Sequence, residues 1–265
     1  MKNILVPIGT SPDSHETLQY AVDFATQFSS EIYVMEVFSV SANAGTLSNV
    51  SGKITENSIE RLKEIIEKVD AKDIVIKIAT YNGGIVSGVK DINKELGIDL
   101  IIISPKSNDI KEGLFLGNTS GKIVKQTNIP SLIVPKGSVF APYKTILTAF
   151  KSGVLKRNRI LVPLIQIKKK FSSVVNLLLV KTPGYTDADL KINTALMDIS
   201  SQLTLTENAT TYLGVLEHFQ AQHPDLLCVF RRRRGFFKTL WEKNTISKEE
   251  FYSPVPVLVL SVKKD

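Results

Sequence analysis

Hydrophobic and polar positions in the first half of the chain alternate between two kinds of segment. Short apolar runs predict buried strands at residues 4–6, 31–38, 74–78, 100–103 and 131–134. Between them, apolar residues recur every three or four positions, as they do on one face of a helix; one such stripe runs from Leu18 to Phe28 and follows Asp13. Strands that alternate with helices predict an α/β fold with a doubly wound, mostly parallel sheet.

The same order of segments returns in the second half. Residues 99–103 resemble residues 225–229, 126 positions later, and residues 129–134 resemble residues 255–260 at the same offset. The starts of the copies, residues 2–5 and 144–147, match at an offset of 142, so the second copy has lost 16 residues in between. The segment 39–55, which has no periodicity and is predicted to be a loop, is the natural source of that loss. We therefore predict two tandem five-stranded domains, residues 1–137 and 143–265.

The second copy differs from the first in its first helix and in its charge. Pro163 lies inside the segment 155–171 and predicts a break or kink there. Residues 1–142 carry 14 Lys and Arg against 16 Asp and Glu, whereas residues 143–265 carry 19 against 10. Such an imbalance between halves indicates either an anionic partner or a solvated basic face.

Features that bear on location favour the cytoplasm. No apolar stretch approaches the roughly 20 residues of a membrane span, so the chain is predicted not to be transmembrane. Pro7 and Gly9 interrupt the first apolar run well short of a signal-peptide core. The single cysteine, Cys228, lies in an apolar run and is predicted to be a buried thiol.

Ligands of an open α/β sheet bind beyond the carboxyl ends of its strands, which directs attention to the ends of the first and fourth strands. A helix predicted to begin at Gly117 would offer free N–H groups and the positive end of its dipole to a phosphate. The alternative is that Asn118 or Thr119 only caps that helix. The candidate cofactor-binding residues are Pro7, Ile8, Gly9, Thr10, Val37, Ser104, Ser107, Gly117, Asn118 and Thr119.

The opening ILVP, the long loop after the second strand, the apolar fourth strand, the glycine-containing loop and the closing IPSLIVP together resemble the universal stress protein family. The resemblance covers the first copy end to end and the second in outline, as in a tandem member with a degenerate second domain. It implies a Rossmann-like nucleotide-binding fold and a role in the stress response. Family members dimerise through their last strands, which implies an intramolecular pseudo-dimer with residues 131–134 paired to 257–260, and a homodimer as a further expectation.

Nucleotide-binding members of that family carry G-x-x-G, nine residues and G-(S/T), with an Asp after the first strand that contacts the adenosine. Here Ser104 and Ser107 stand in place of the paired glycines, and Gly9 stands in place of the Asp. The resemblance therefore implies ATP, another adenine nucleotide or a different phosphorylated ligand in the first copy. In the second copy, Phe230 and the arginines after it fill the phosphate loop, and their bulk excludes ATP bound in the family manner.

The arginine run in that loop is the most unusual segment. Arg231, Arg232, Arg233 and Arg234 form either an anion-binding site, for nucleic acid, an anionic surface or a phosphorylated metabolite, or a solvated basic loop.

The sequence contains no constellation typical of catalysis, and its three histidines lack metal-ligand spacing. It thus favours a protein that acts by binding rather than as an enzyme. The alternatives are a slow ATPase or nucleotide-dependent switch using the first copy, and a nucleic-acid or anionic-surface binder using the basic second copy.

Overall fold

The computed structural model describes residues 1–9, 11, 13–39, 50–105, 117–232 and 255–262. These residues form two compact units. The first unit takes the described residues of segments 1–105, 117–129 and 136–140, and the second takes those of segments 130–135, 141–232 and 255–262. The last strand of the first copy, within residues 130–135, is therefore part of the second unit.

The elements of the first copy alternate between strand and helix as the pattern predicts. They are β1 (Asn3–Pro7), α1 (Ser14–Phe28), β2 (Glu31–Phe38), α2 (Val50–Ile66), β3 (Ile76–Asn82), α3 (Ile85–Leu96), β4 (Leu100–Ile103), α4 (Gly117–Gln126) and β5 (Ser131–Ile133).

The second copy also contributes five strands from the described residues. Its elements are β6 (Thr145–Phe150), a 3₁₀ helix (Asn158–Leu161), α5 (Val162–Phe171), β7 (Val174–Lys181), a second 3₁₀ helix (Asp187–Leu190), α6 (Thr194–Asp198), β8 (Gln202–Glu207), α7 (Thr211–Gln222), β9 (Leu226–Arg231) and β10 (Val257–Ser261). The α/β class and the five strands from each copy are thus confirmed.

In the first unit the strands lie in the order β3-β2-β1-β4, and all their pairings are parallel. Every residue of β4 is buried, as expected for a strand whose two faces are both covered by helices. Helix α1 contacts α2, and α3 contacts α4. The fully buried Ile4, Leu5, Leu100 and Ile101 form the centre of this core.

In the second unit the order is β5-β10-β9-β6-β7-β8. All pairings are parallel except that of β5 with β10, in which Ile133 faces Val257 and Ser131 faces Val259. The last strands of the two copies therefore pair with each other, which confirms the pairing expected of an intramolecular pseudo-dimer.

The prediction of a loop at residues 39–55 is wrong for the second part of that segment, because helix α2 begins at Val50. Polar residues and Gly52 in its first turns hide the helical period. In the second copy, α6 has 5 residues at the place where α2 has 17. The missing residues therefore include most of a helix. The third strand, predicted at residues 74–78, also lies further along the chain, at Ile76–Asn82.

The break predicted in the segment 155–171 lies just before Pro163, which is therefore not in a helix interior. Pro163 lies in the first turn of α5, directly after the 3₁₀ helix that ends at Leu161. Proline is tolerated there because the first N–H groups of a helix have no partner within it and the ring already holds a helical φ. The segment thus forms a short 3₁₀ helix followed by α5.

Candidate functional site

The chain reverses its direction of winding beside β1 in the first unit. Strands β2 and β3 lie on one side of β1, whereas β4 lies on the other side, with Ile4 opposite Leu100. Such a reversal separates the loops beyond the two strand ends and leaves space for a ligand. We call the ends of β1 and β4, with the residues that follow them (7–9 and 104–105), the first switch point.

The loop that leaves β1 keeps Gly9 exposed. The N–H of Ile8 donates to Met35 O at 2.8 Å, which holds buried Ile8 against β2. The Ser14 hydroxyl donates to Ser11 O at 2.6 Å and to Gly9 O at 3.2 Å, so this loop is fixed to the first turn of α1. A Cβ at Gly9 would meet no described atom within 4 Å, so the space beside it is open as far as the described residues go.

The other side of the first switch point is fixed by a serine that sequence reasoning missed. The hydroxyl of buried Ser120 in α4 donates to Ser104 O at 2.8 Å, and this bond joins the first turn of α4 to the end of β4. The structure thus brings Ser104 and the start of α4 together. Pro105 beside them is buried.

The remaining predicted residues of this site have the following places. Pro7 ends β1, and Val37 lies one residue before the end of β2; both are half-buried. Gly117 and Asn118 are the first residues of α4, and Thr119 is exposed. Thr10 and Ser107 lie outside the described residues.

An ion pair near the start of α1 was also not predicted. Lys136 Nζ lies 3.0 Å from Asp13 Oδ2, and the N–H of Gly137 donates to Glu16 Oε2 at 3.3 Å. The Phe140 ring packs edge-on against Tyr20, with 5.5 Å between ring centroids. Segment 136–140 is therefore held along α1. The partners are at least 120 positions apart in the sequence, so no local pattern could have indicated the contact.

The second unit has the same reversal beside β6, with β7 and β8 on one side and β9 on the other. We call the ends of β6 and β9, with the segments that follow them (151–155 and 231–232), the second switch point. Here Arg232 connects the two sides: its Nη2 donates to Ser152 O at 2.9 Å and to Val154 O at 2.6 Å. Arg231 Nε donates to Ser261 Oγ at 3.0 Å.

A third segment supports the loop after β6. The N–H of Gly153 donates to Asp189 O at 2.9 Å, and the N–H of Asn193 donates to Gly153 O at 2.9 Å. A Cβ on Gly153 would lie 2.6 Å from Ile192 Cα, so only glycine fits this contact.

At the second switch point, neighbouring groups counteract the pKa shifts that burial causes in Asp189 and Arg232. Burial alone would raise the pKa of Asp189, but hydrogen bonds from Ser152 and Thr186, with the charge of Lys151, hold that pKa below its usual value. Burial lowers the pKa of Arg232, and the Asp189 carboxylate opposes that shift. Arg232 stays charged, because the pKa of a guanidinium lies far above neutrality. Arg233 and Arg234 lie outside the described residues.

Other chemistry is scarce in the part of the chain that the structure describes. It contains no group of three or more His, Cys, Asp or Glu residues that could hold a metal ion. Burial raises the pKa of the Cys228 thiol to about 12, so the thiolate needed for reactivity is absent at neutral pH. None of its helices is both long enough and apolar enough to cross a membrane.

Comparison with known proteins gives consistent matches. The model of the universal stress protein family matches residues 1–135. A universal stress protein of Methanocaldococcus jannaschii is 24% identical over 140 residues, which are 51% of this chain and 82% of that protein. The match of the family model ends where the first copy ends, as expected if the second copy is degenerate.

Two solved structures resemble the whole chain. A universal stress protein from Archaeoglobus fulgidus has a TM-score of 0.72 at 19% identity, covering 99% of this chain and 97% of its own. A protein of unknown function from Pseudomonas aeruginosa has a TM-score of 0.56 at 15% identity, covering 99% and 93%. At these identities the likeness shows the fold, and it extends over both copies.

Proposed function

This chain belongs to the universal stress protein family, and from that premise we propose that it acts by binding a small phosphorylated ligand, an adenine nucleotide foremost, at the first switch point. The open space beside Gly9 is the observation that carries the proposal. In a parallel sheet that reverses its winding, such a space beyond the strand ends is the usual ligand position.

The start of α4 supports an anionic ligand. The bond from Ser120 to Ser104 O holds the first turn of α4 beside the end of β4. Free N–H groups in the first turn of a helix, together with the helix dipole, favour a phosphate group placed there. Pro105 lacks an N–H, so among the described residues the backbone donors of this site come from α4 and from the loop after β1.

Binding without catalysis agrees with the state of the nearby carboxylates. Asp13 and Glu16 open α1 close to this loop, but Asp13 is paired with Lys136 and Glu16 accepts from the N–H of Gly137. Both of these described carboxylates are thus engaged in contacts within the protein, which favours binding over hydrolysis. A slow ATPase remains the alternative hypothesis, and release of inorganic phosphate from ATP would distinguish the two.

Millimolar ATP is expected to raise the melting temperature of the protein by several degrees, because a ligand at about 100 times its Kd stabilises the folded state by about 2.7 kcal/mol. Gly9→Trp should remove this shift by filling the open space. Lys151→Trp, at the corresponding position of the second copy, is the matched control and should keep it. Thermal melts followed by circular dichroism measure both. An unchanged melting temperature with ATP, ADP and AMP in wild type would contradict the proposal.

A second candidate function is polyanion binding through the second half. Its described residues include five exposed basic side chains on or beside the first 3₁₀ helix and α5: Lys156, Arg157, Arg159, Lys169 and Lys170. Exposed cations of this kind bind polyanions by releasing counterions, so the affinity falls steeply with salt.

Single-stranded DNA is therefore expected to bind at 50 mM salt and to be released by 200 mM salt, as measured by fluorescence anisotropy. Changing Lys169 and Lys170 together to Ser should weaken binding and reduce the salt dependence. Changing Lys63 and Lys68 to Ser gives the same loss of charge in the first half and serves as the control. If wild type shows no binding at 50 mM salt, the basic half is a solvated surface.

Cytoplasmic location and homodimer formation stay predictions.

A further inference from the structure

The two switch points correspond in sequence and in strand register but differ in what occupies them. Ile146 faces Leu226 in the second unit as Ile4 faces Leu100 in the first. Beyond these strands, the first switch point has open space at Gly9. At the second, the side chain of Arg232 extends from the end of β9 to the loop after β6.

The loop after β6 is shaped around a cation. Two of its carbonyl oxygens, those of Ser152 and Val154, accept hydrogen bonds from the same guanidinium nitrogen. The N–H of Gly153 between them instead donates to Asp189 O. A phosphate needs the opposite arrangement, with N–H groups directed towards it. This loop therefore turns its acceptors towards the second switch point and uses its central donor elsewhere.

The negative charge of Asp189 also favours a cation over an anion at the second switch point. The electrostatic attraction of Asp189 stabilises the half-buried Arg232 cation, and Asp189 is fixed by Thr186, whose N–H and hydroxyl donate to it at 3.1 and 3.0 Å. A partly exposed carboxylate at this position still repels an anionic ligand and attracts a guanidinium. The arginine also leaves its buried Nε without a partner among the described residues, so the two bonds from Nη2 carry the contact.

We propose that Arg232 is a built-in occupant of the second switch point, which holds the loop after β6 in place of a ligand and closes that position. If the proposed function holds, the chain then takes one phosphorylated ligand, at the first switch point only. In this proposal Arg232 has an internal role rather than the anion-binding role that the sequence indicated, because its Nη2 hydrogen bonds go to the loop.

Amide hydrogen exchange tests, without any ligand, whether Arg232 holds the loop after β6 in place. In Arg232→Met, exchange at the amides of Gly153 and Asn193 should quicken by at least about tenfold, as expected from the loss of hydrogen bonds made by a charged donor. Arg159→Met, which removes an exposed charge from the same half, should leave both amides unchanged. Arg232→Lys keeps the cation and should give a smaller increase at the same two amides. If Arg232→Met does not fold, Arg232→Lys is compared with wild type instead. Unchanged exchange in the folded variants would overturn the proposal.

Calorimetric titration with ATP separates this proposal from the proposed function. One ATP bound per chain supports both. Two ATP bound per chain would overturn the closed second switch point while supporting nucleotide binding. If no ATP binds, the proposed function fails for that nucleotide, and the exchange experiment alone decides the role of Arg232.

Discussion

Replacing Gly153 by alanine is expected to destabilise the protein by about 3 kcal/mol, since overpacking costs about 1–3 kcal/mol and the lost hydrogen bonds add to it. The new Cβ would lie 2.6 Å from both Cα and Cγ1 of Ile192. The backbone cannot easily yield, because Gly153 is bonded to Asp189 O and to the N–H of Asn193. Urea unfolding followed by circular dichroism measures the loss.

Gly9→Ala is the matched control for this substitution. It also adds a Cβ in the loop after the first strand of a copy, but there the Cβ would meet no described atom within 4 Å. Its effect on stability should stay within about 0.5 kcal/mol, as for other substitutions away from packed contacts. If Gly153→Ala were as mild as Gly9→Ala, the close packing of the loop after β6 against Ile192 would be refuted.

Replacing Arg61 by methionine is expected to cost about 2 kcal/mol. Its guanidinium is hydrogen-bonded to Glu36, whose side chain in β2 is only 5% exposed. Removal of one partner of a fully buried pair costs about 3–5 kcal/mol, because the other charge remains without compensation. The estimate is lower here because the Arg61 side chain is 43% exposed, so solvent already weakens the pair.

The second copy suggests the control for this pair. Leu179 is the sixth residue of β7, as Glu36 is the sixth residue of β2, and Leu179 is fully buried. Glu36→Leu removes the buried charge together with Oε2, which has no partner among the described residues, and should be neutral or stabilising. Chemical denaturation of both variants and of the double variant checks this. A greater loss in Glu36→Leu than in Arg61→Met would show that the pair contributes more than its desolvation costs.

The sequence predicts those parts of the fold that are set by local pattern. The run at residues 100–103 reads as a buried strand because helices cover both faces of that strand, so no polar position interrupts it. The repeat between the copies survives in such strands because their burial restricts substitution. The loop predicted at residues 39–55 extends too far because the polar first turns of helix α2, including Gly52, carry no apolar period.

The candidate site was predictable only as a set of strand ends. Gly9 and Ser104 could be placed at the carboxyl ends of neighbouring strands from topology alone. The direction of the Arg232 side chain could not, because its partners at residues 152 and 154 are about 80 positions away and are backbone carbonyls of no particular residue type. The pairing of Lys136 with Asp13 depends on the same kind of distant contact.

Native mass spectrometry of the intact protein with ATP tests the central claim most directly, namely that ligand binds at the first switch point and nowhere equivalent in the second. The account predicts a single ATP adduct per chain, lost in Gly9→Trp and kept in Lys151→Trp. A second adduct of comparable affinity, or an adduct that survives Gly9→Trp and disappears in Lys151→Trp, would contradict it.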